Sequence, residues 1–162
     1  MAKTTPATQA LTKAGVAFTM EQYEYHREER HREPEHIALK AAEAVNEPPA
    51  RVLKTLMVMV DGKPFCAVVP SDKELAMKKV AAAFGGKSAE MLKPTDAERL
   101  TGYHVGGISP FGQRKKVPVA FAVQVLDEPY VIINGGGRGV MVRLAPKDAQ
   151  KAVGAIAADI TT

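Results

Sequence analysis

The sequence predicts an α+β fold: a mixed, mostly antiparallel sheet curled into a barrel-like core and flanked by helices, in one domain spanning residues 1–162. Three observations lead there. Helical and strand patterns are intermixed along the chain rather than in strict alternation. Two hairpin signals, Asp61-Gly62 and the glycine-rich run at 135–139, join neighbouring strands directly. Crossover helices are too few for a doubly wound sheet. With 162 residues, 46% of them hydrophobic, the chain can bury one sizeable core.

The elements follow in order. Thr5-Pro6 opens a first helix, because threonine caps well and proline fits the first helical position. Ala7, Leu11 and Ala14 supply its apolar stripe and Gly15 ends it. Residues 16–25, with Val16, Phe18, Met20 and Tyr23, read as a strand. The run HREERHREPEH then places His26, His31 and His36 five residues apart. On a helix each would be turned about 140° from the last, and Pro34 interrupts any such helix, so the run reads as a solvated loop and no metal site is expected. An alanine-rich helix is expected over 36–45. Asn46-Glu47-Pro48-Pro49 breaks it and can cap a short turn ending near Arg51.

Residues 53–60, LKTLMVMV, and 64–70 are the strands of the Asp61-Gly62 hairpin. Ser71-x-x-Glu74 has the form of a capping box ahead of a helix running through Phe84. A short strand is expected at 88–92. Thr95-x-x-Glu98 is a second capping-box pattern, before a helix stopped by Gly102. Residues 117–125, 130–134 and 139–144 are strands, and 148–160 is a closing helix with Ala152, Ile156 and Ile160 on one face.

Composition narrows the function. No apolar run approaches the roughly 18–20 residues that span a bilayer, and MAKTTPATQA has no apolar signal region, so no membrane association is expected. The single cysteine, Cys66, allows no internal disulfide, and a cytoplasmic protein is expected. A formal charge of +4 leans toward anionic partners. Tryptophan is absent and aromatics are 6%, so a stacking platform for single strands is not expected.

Familiar chemistry is missing. The chain has no G-x-S-x-G elbow, Walker sequence, dinucleotide fingerprint or H-E-x-x-H helix, and no cofactor is expected. Cys66 packs in a strand with no cationic neighbour in sequence to activate it. Ser109 has no histidine partner in view except His104.

What stands out is TGYHVGGISPFGQRKKVP, residues 101–118. Gly106 and Gly107 let the backbone approach a ligand and present N–H groups to it, and Arg114, Lys115 and Lys116 could hold a polyanion. A surface turn followed by a solvated charge cluster fits the same residues. The glycine run with Arg138 reads equally as a second anion loop or a plain hairpin. Lys54 is the odd residue of an apolar strand: its ammonium has a partner, or it snorkels from the strand end.

Together Thr5-Pro6-Ala7, Val52-Leu53-Lys54-Thr55-Leu56, Thr101-Gly102-Tyr103, Val105-Gly106-Gly107-Ile108-Ser109-Pro110 and Gly136-Gly137-Arg138-Gly139 resemble the YbaK/EbsC family of aminoacyl-tRNA deacylases, relatives of the editing domain of bacterial prolyl-tRNA synthetases. The resemblance covers nearly the whole chain. It implies trans-editing: hydrolysis of the ester joining a wrong amino acid to tRNA, with Cys-tRNA(Pro) the expected substrate, tRNA(Pro) the nucleic-acid partner and prolyl-tRNA synthetase a possible transient one. It implies catalysis by Lys54, Gly106 and Gly107, with the glycine N–H groups offered to the carbonyl or its oxyanion. Tyr23, Thr55, Ile108, Ser109, Gly137 and Arg138 are implied to bind substrate. Arg114, Lys115 and Lys116 are candidate phosphate contacts on charge alone. The sequence departs from the family where an acidic residue often follows the glycine hairpin and Met141 stands instead. A deacylase for another amino acid, such as alanine, or a non-catalytic tRNA- or synthetase-binding module are the alternatives.

Overall fold

The computed structural model describes residues 4–23 and 34–162. Helix α1, Pro6–Lys13, starts as expected: Thr5 Oγ1 accepts the Thr8 N–H at 3.1 Å while Thr8 Oγ1 accepts the Thr5 N–H at 2.9 Å. Two threonines thus form a reciprocal capping box. Ala7 and Leu11 are buried, whereas Ala14, the C-cap residue, is exposed. Strand β1 is Thr19–Gln22; the expected continuation through residues 24 and 25, with His26 and His31, lies outside the described residues. Helix α2, Pro34–Ala44, begins at the proline, which suits a first turn.

The hairpin of β2, Leu53–Val60, and β3, Lys63–Pro70, is the structural spine. Asp61 and Gly62 take φ of 49° and 82°, the pair of positive values that a tight two-residue hairpin needs. Helix α3 (Met77–Ala83), strand β4 (Ala89–Met91), helix α4 (Pro94–Thr101) and strand β5 (Val119–Ala122) follow, then a 3₁₀ turn at Val123–Asp127. Strands β6 (Val131–Gly137) and β7 (Val140–Leu144), helix α5 (Pro146–Val153) and strand β8 (Ile156–Ala158) complete the fold. Five strands run in the order β4-β2-β3-β5-β8, with β3-β5 and β5-β8 parallel, and three in the order β1-β7-β6, all antiparallel.

The fold is therefore mixed α+β, but the sheet is not closed into a barrel: β4 and β8 end one sheet, β1 and β6 the other, and an isolated parallel bridge between Val52 and Ile132 links the two. Other expectations are corrected locally. The closing helix stops at Gly154, which takes φ 64°, and Ile156 lies in β8 instead of on a helix face. Neither downstream capping box forms. Ala76 and Lys93 are the N-cap residues of α3 and α4, without side-chain caps, and Ser71 Oγ donates to Pro49 O at 3.0 Å. The strand expected over 117–125 narrows to β5 because the chain coils into the 3₁₀ turn at Val123. The glycine hairpin is shorter than expected, since β6 continues through Gly137 across a bulge.

Packing explains why β6 and β7 are apolar on successive residues. Ile133 and Val142 enter the main core with Leu11, Val58, Val68, Phe111 and Phe121; Ile132 and Met141 pack on the other face with Ala41 and Ala42 of α2. Strands β6 and β7 are thus buried on both faces, while β1 at the sheet's edge stays partly exposed. Its rim is fixed by a charged cluster: Arg143 lies 2.8 Å from Glu21 and 2.6 Å from Glu47, and the Arg143 and Arg51 guanidinium carbons sit 4.3 and 5.0 Å from the Tyr130 ring centre.

Thr5 Oγ1 also donates to Gly135 O at 2.5 Å, so the cap joins α1 to β6. Thr5→Ala is expected to lower stability by about 1–2 kcal/mol in urea titrations, with Thr5→Ser near wild type because it keeps the hydroxyl.

Candidate functional site

The first glycine loop starts where α4 ends on Gly102, at φ 81°. Its turn is closed by Gly107 N–H donating to His104 O at 2.8 Å, with Gly106 at φ 91° in the third position. That is a type II turn, which requires glycine there. Glu98, expected to cap α4, instead accepts the Val105 N–H at 2.8 Å and lies 3.5 Å from His104 Nδ1. Beyond the turn, Ser109 is fully buried: its hydroxyl accepts the Phe111 N–H at 3.2 Å and its carbonyl accepts Gln113 Nε2 at 3.0 Å. Gln113 also reaches Met57 Sδ at 3.5 Å and Cys66 Sγ at 3.9 Å, folding the loop onto the β2–β3 hairpin. Ser109 and His104 are each engaged elsewhere and form no nucleophile–base pair.

The second loop is the bulge of β6, where the register shifts between Asn134 and Gly137. Asn134 Oδ1 accepts the N–H groups of Gly136 at 2.7 Å and Gly137 at 3.2 Å; its Nδ2 donates to Gly106 O at 3.1 Å and Gly137 O at 3.2 Å. Arg138 Nε donates to Val105 O at 2.9 Å. Between these ties the backbones nearly touch: a Cβ on Gly107 would lie 2.9 Å from Arg138 N and from the Gly137 carbonyl carbon. Gly112 lies as close to α1, where a Cβ would meet Pro6 O at 2.4 Å.

These contacts decide which amides are available. The Gly107 N–H, expected to meet substrate, donates to His104 O within the turn, and Gly107 packs closely against the second loop. Among the described residues the N–H groups of Gly106 and Ile108 have no intramolecular acceptor. In the trans peptide joining Val105 to Gly106, the carbonyl is held by Arg138 and the N–H points the opposite way. Arg138, expected near phosphate, thus spends Nε on the first loop.

The remaining predicted residues are distributed as follows. Tyr23 N–H donates to Gly139 O at 2.9 Å, which seats this residue at the second loop's turn. Lys54 is 4% exposed and lies two residues beyond Val52, as Asn134 lies two beyond its bridge partner Ile132. Thr55 follows Lys54 on a strand, so their side chains leave opposite faces of the sheet. The Thr55 hydroxyl is buried with no hydrogen-bond partner among the described residues. Ile108 is half-buried beside Gly107. Arg114, Lys115 and Lys116 are exposed, their run pinned to α4 by Arg114 N–H to Thr101 O and Lys115 N–H to Leu100 O. Met141 is 3% exposed beneath α2.

Asn134, Gln113 and Tyr103 enter as residues that sequence reasoning missed. Asparagine before glycines is a turn signal, and that signal could have marked Asn134. Tyr103 is buried, which raises its pKa above the ordinary phenol range, and its hydroxyl donates to Phe111 O. Burial likewise pushes the Cys66 thiol up to about 12, opposed weakly by Gln113. Neither group is a base or nucleophile near neutrality. The arrangement supplies oriented backbone N–H donors, a buried lysine and an exposed cationic run.

Residues 32–152 match the model of the aminoacyl-tRNA editing domain family. A protein of Enterococcus faecalis provisionally named Cys-tRNA(Pro)/Cys-tRNA(Cys) deacylase EbsC is 37% identical over 143 residues, covering 87% of this chain and 84% of that one. Proline–tRNA ligase of Oleidesulfovibrio alaskensis is 33% identical over 85 residues, 52% of this chain but 15% of the ligase. The fold matches a crystal structure provisionally described as a trans-editing enzyme for prolyl-tRNA synthetase, with a TM-score of 0.80, 23% identity and 99% coverage of each chain. The chain belongs to the aminoacyl-tRNA editing domain family, a family of editing hydrolases.

The raised thiol pKa has a measurable consequence. Ionisation above pH 9.0, the ordinary value, favours the unfolded chain, so the thiol's contribution to stability is intact below that range and is lost as pH rises toward about 12. At pH 8 a disulfide reagent is expected to label native protein slowly and to label the one cysteine fully after unfolding; fast native labelling would contradict this burial.

Proposed function

We propose that this protein is a trans-editing deacylase that removes cysteine from Cys-tRNA(Pro). The observation that carries this reading is the pair of glycine loops locked together, with the Gly106 N–H left unbonded among the described residues. Cysteine and proline are close in size, so a synthetase pocket discriminates them poorly by binding alone, and hydrolysis after charging corrects the error.

The chemistry needs no protein nucleophile. The substrate thiol, losing its proton, attacks its own ester carbonyl; the C–O bond to the ribose breaks, the ribose oxygen takes a proton, and cysteine leaves as a thiolactone that water opens. The protein's part is to hold thiol and carbonyl together and to stabilise the oxyanion. Gly106 and Ile108 N–H groups are the donors for that oxyanion. Lys54 holds the terminal nucleotide, Tyr23 and Thr55 border the amino acid, and Arg114, Lys115 and Lys116 meet phosphates further along the acceptor stem. Prolyl-tRNA synthetase, as the source of the substrate, is the transient partner in this reading, which similarity to proline–tRNA ligases supports.

The decisive experiment is deacylation of Cys-tRNA(Pro), Ala-tRNA(Pro) and Pro-tRNA(Pro) in parallel. Loss of cysteine alone is expected. Loss of alanine would replace the thiol mechanism by one using water, and tRNA binding without any hydrolysis would make the chain a binding module. Lys54→Met is expected to cut cysteine release by about 100-fold or more with an unchanged circular dichroism spectrum. Replacing Arg114, Lys115 and Lys116 with glutamine is expected to raise KM and to make log affinity fall less steeply with log salt, by about one unit of slope for each phosphate no longer neutralised.

A further inference from the structure

Asn134 makes all four hydrogen bonds its side chain can form, two accepted from the second loop and one donated to each loop. The opposite amide orientation would set its NH₂ against two N–H donors, so the network fixes which way it points. Its bond to Gly106 O acts on the peptide that joins Gly106 to Gly107, whose N–H end is already held by His104 O. Arg138 holds the preceding peptide through Val105 O. Two consecutive peptide planes are therefore clamped: the Gly106 N–H lies in the first, held by Arg138, and Asn134 fixes the second, which joins it at the Gly106 Cα.

We propose that Asn134 is a positioning residue for the reaction. It fixes the Gly106–Gly107 peptide, and with it the turn in which the adjoining Gly106 N–H is presented, while shaping the second loop, and it does not itself touch substrate. The inference rests on the deacylase reading for its kinetic form. Its structural form, that Asn134 sets the orientation of the first loop's amides, stands apart from the identity of the substrate.

Asn134→Asp separates the two halves of the network. A carboxylate still accepts the Gly136 and Gly137 N–H groups but donates nothing to Gly106 O and repels it. With Cys-tRNA(Pro), Asn134→Asp is expected to lower kcat at least about tenfold while KM stays within about twofold, because the aim of the amide is disturbed and the tRNA-binding groups are untouched. Asn134→Ala, lacking both halves, is expected to show at least the same fall in kcat. In ¹⁵N–¹H spectra of Asn134→Asp, the Gly106 and Ile108 amides are expected to move. A kcat within about twofold of wild type in both variants would overturn the proposal, as would a rise in KM with kcat unchanged. If wild type deacylates none of the three substrates, the functional reading fails separately, and the spectra then decide: unmoved Gly106 and Ile108 amides in Asn134→Asp overturn the positioning role.

Discussion

Two stretches of backbone meet at Gly107 and Gly137–Arg138 at a distance no side chain could share. A methyl group on Gly107 would have to displace main chain, which cannot yield as a side-chain tip can. The contact lets Asn134 and Arg138 reach across to Gly106 O and Val105 O, and those ties hold the first loop in its type II turn. The same loop carries Gly112 against the start of α1, while Thr5 returns to Gly135. Two glycine loops and one helix end thus form a closed ring of contacts, and the sheets beneath serve to bring its members together.

The ring also explains the distribution of chemistry. Three groups that could act as nucleophile or base are engaged in structure: Ser109 accepts from its own loop, Tyr103 donates to Phe111 O, and Cys66 is sealed in the hairpin. Met141 packs beneath α2, while the carboxylate of Glu21, its register partner on β1, is paired with Arg143. What the ring leaves available is main-chain polarity, suited to charge that appears during a reaction.

Local rules made much of this legible. Thr5-Pro6 reads as a helix start and Asp61-Gly62 as a hairpin because each pattern satisfies its own neighbourhood. Lys54 stood out because lysine is rarely buried, and buried it is. The failures share one cause: a local signal overruled from far away. Ser71 looked like a cap and bonds Pro49; Glu98 looked like a cap and bonds the loop after its helix. Ala152, Ile156 and Ile160 had helical spacing, yet Gly154 turned the chain so that Ile156 could join β5 through β8. Asn134 could be read only as a turn residue, because its bond to Gly106 spans 28 positions.

Those separations bear on how the molecule is made. The bond from Arg138 to Val105 spans 33 residues and that from Thr5 to Gly135 spans 130, so the ring unites the beginning, middle and later part of the chain. The β2–β3 hairpin can form from neighbours, whereas ring closure must overcome the entropy of long loops. A nascent chain still lacking residue 138 has the hairpin's full sequence but cannot close the ring. During synthesis the geometry of the two loops is therefore among the last parts of the protein to exist.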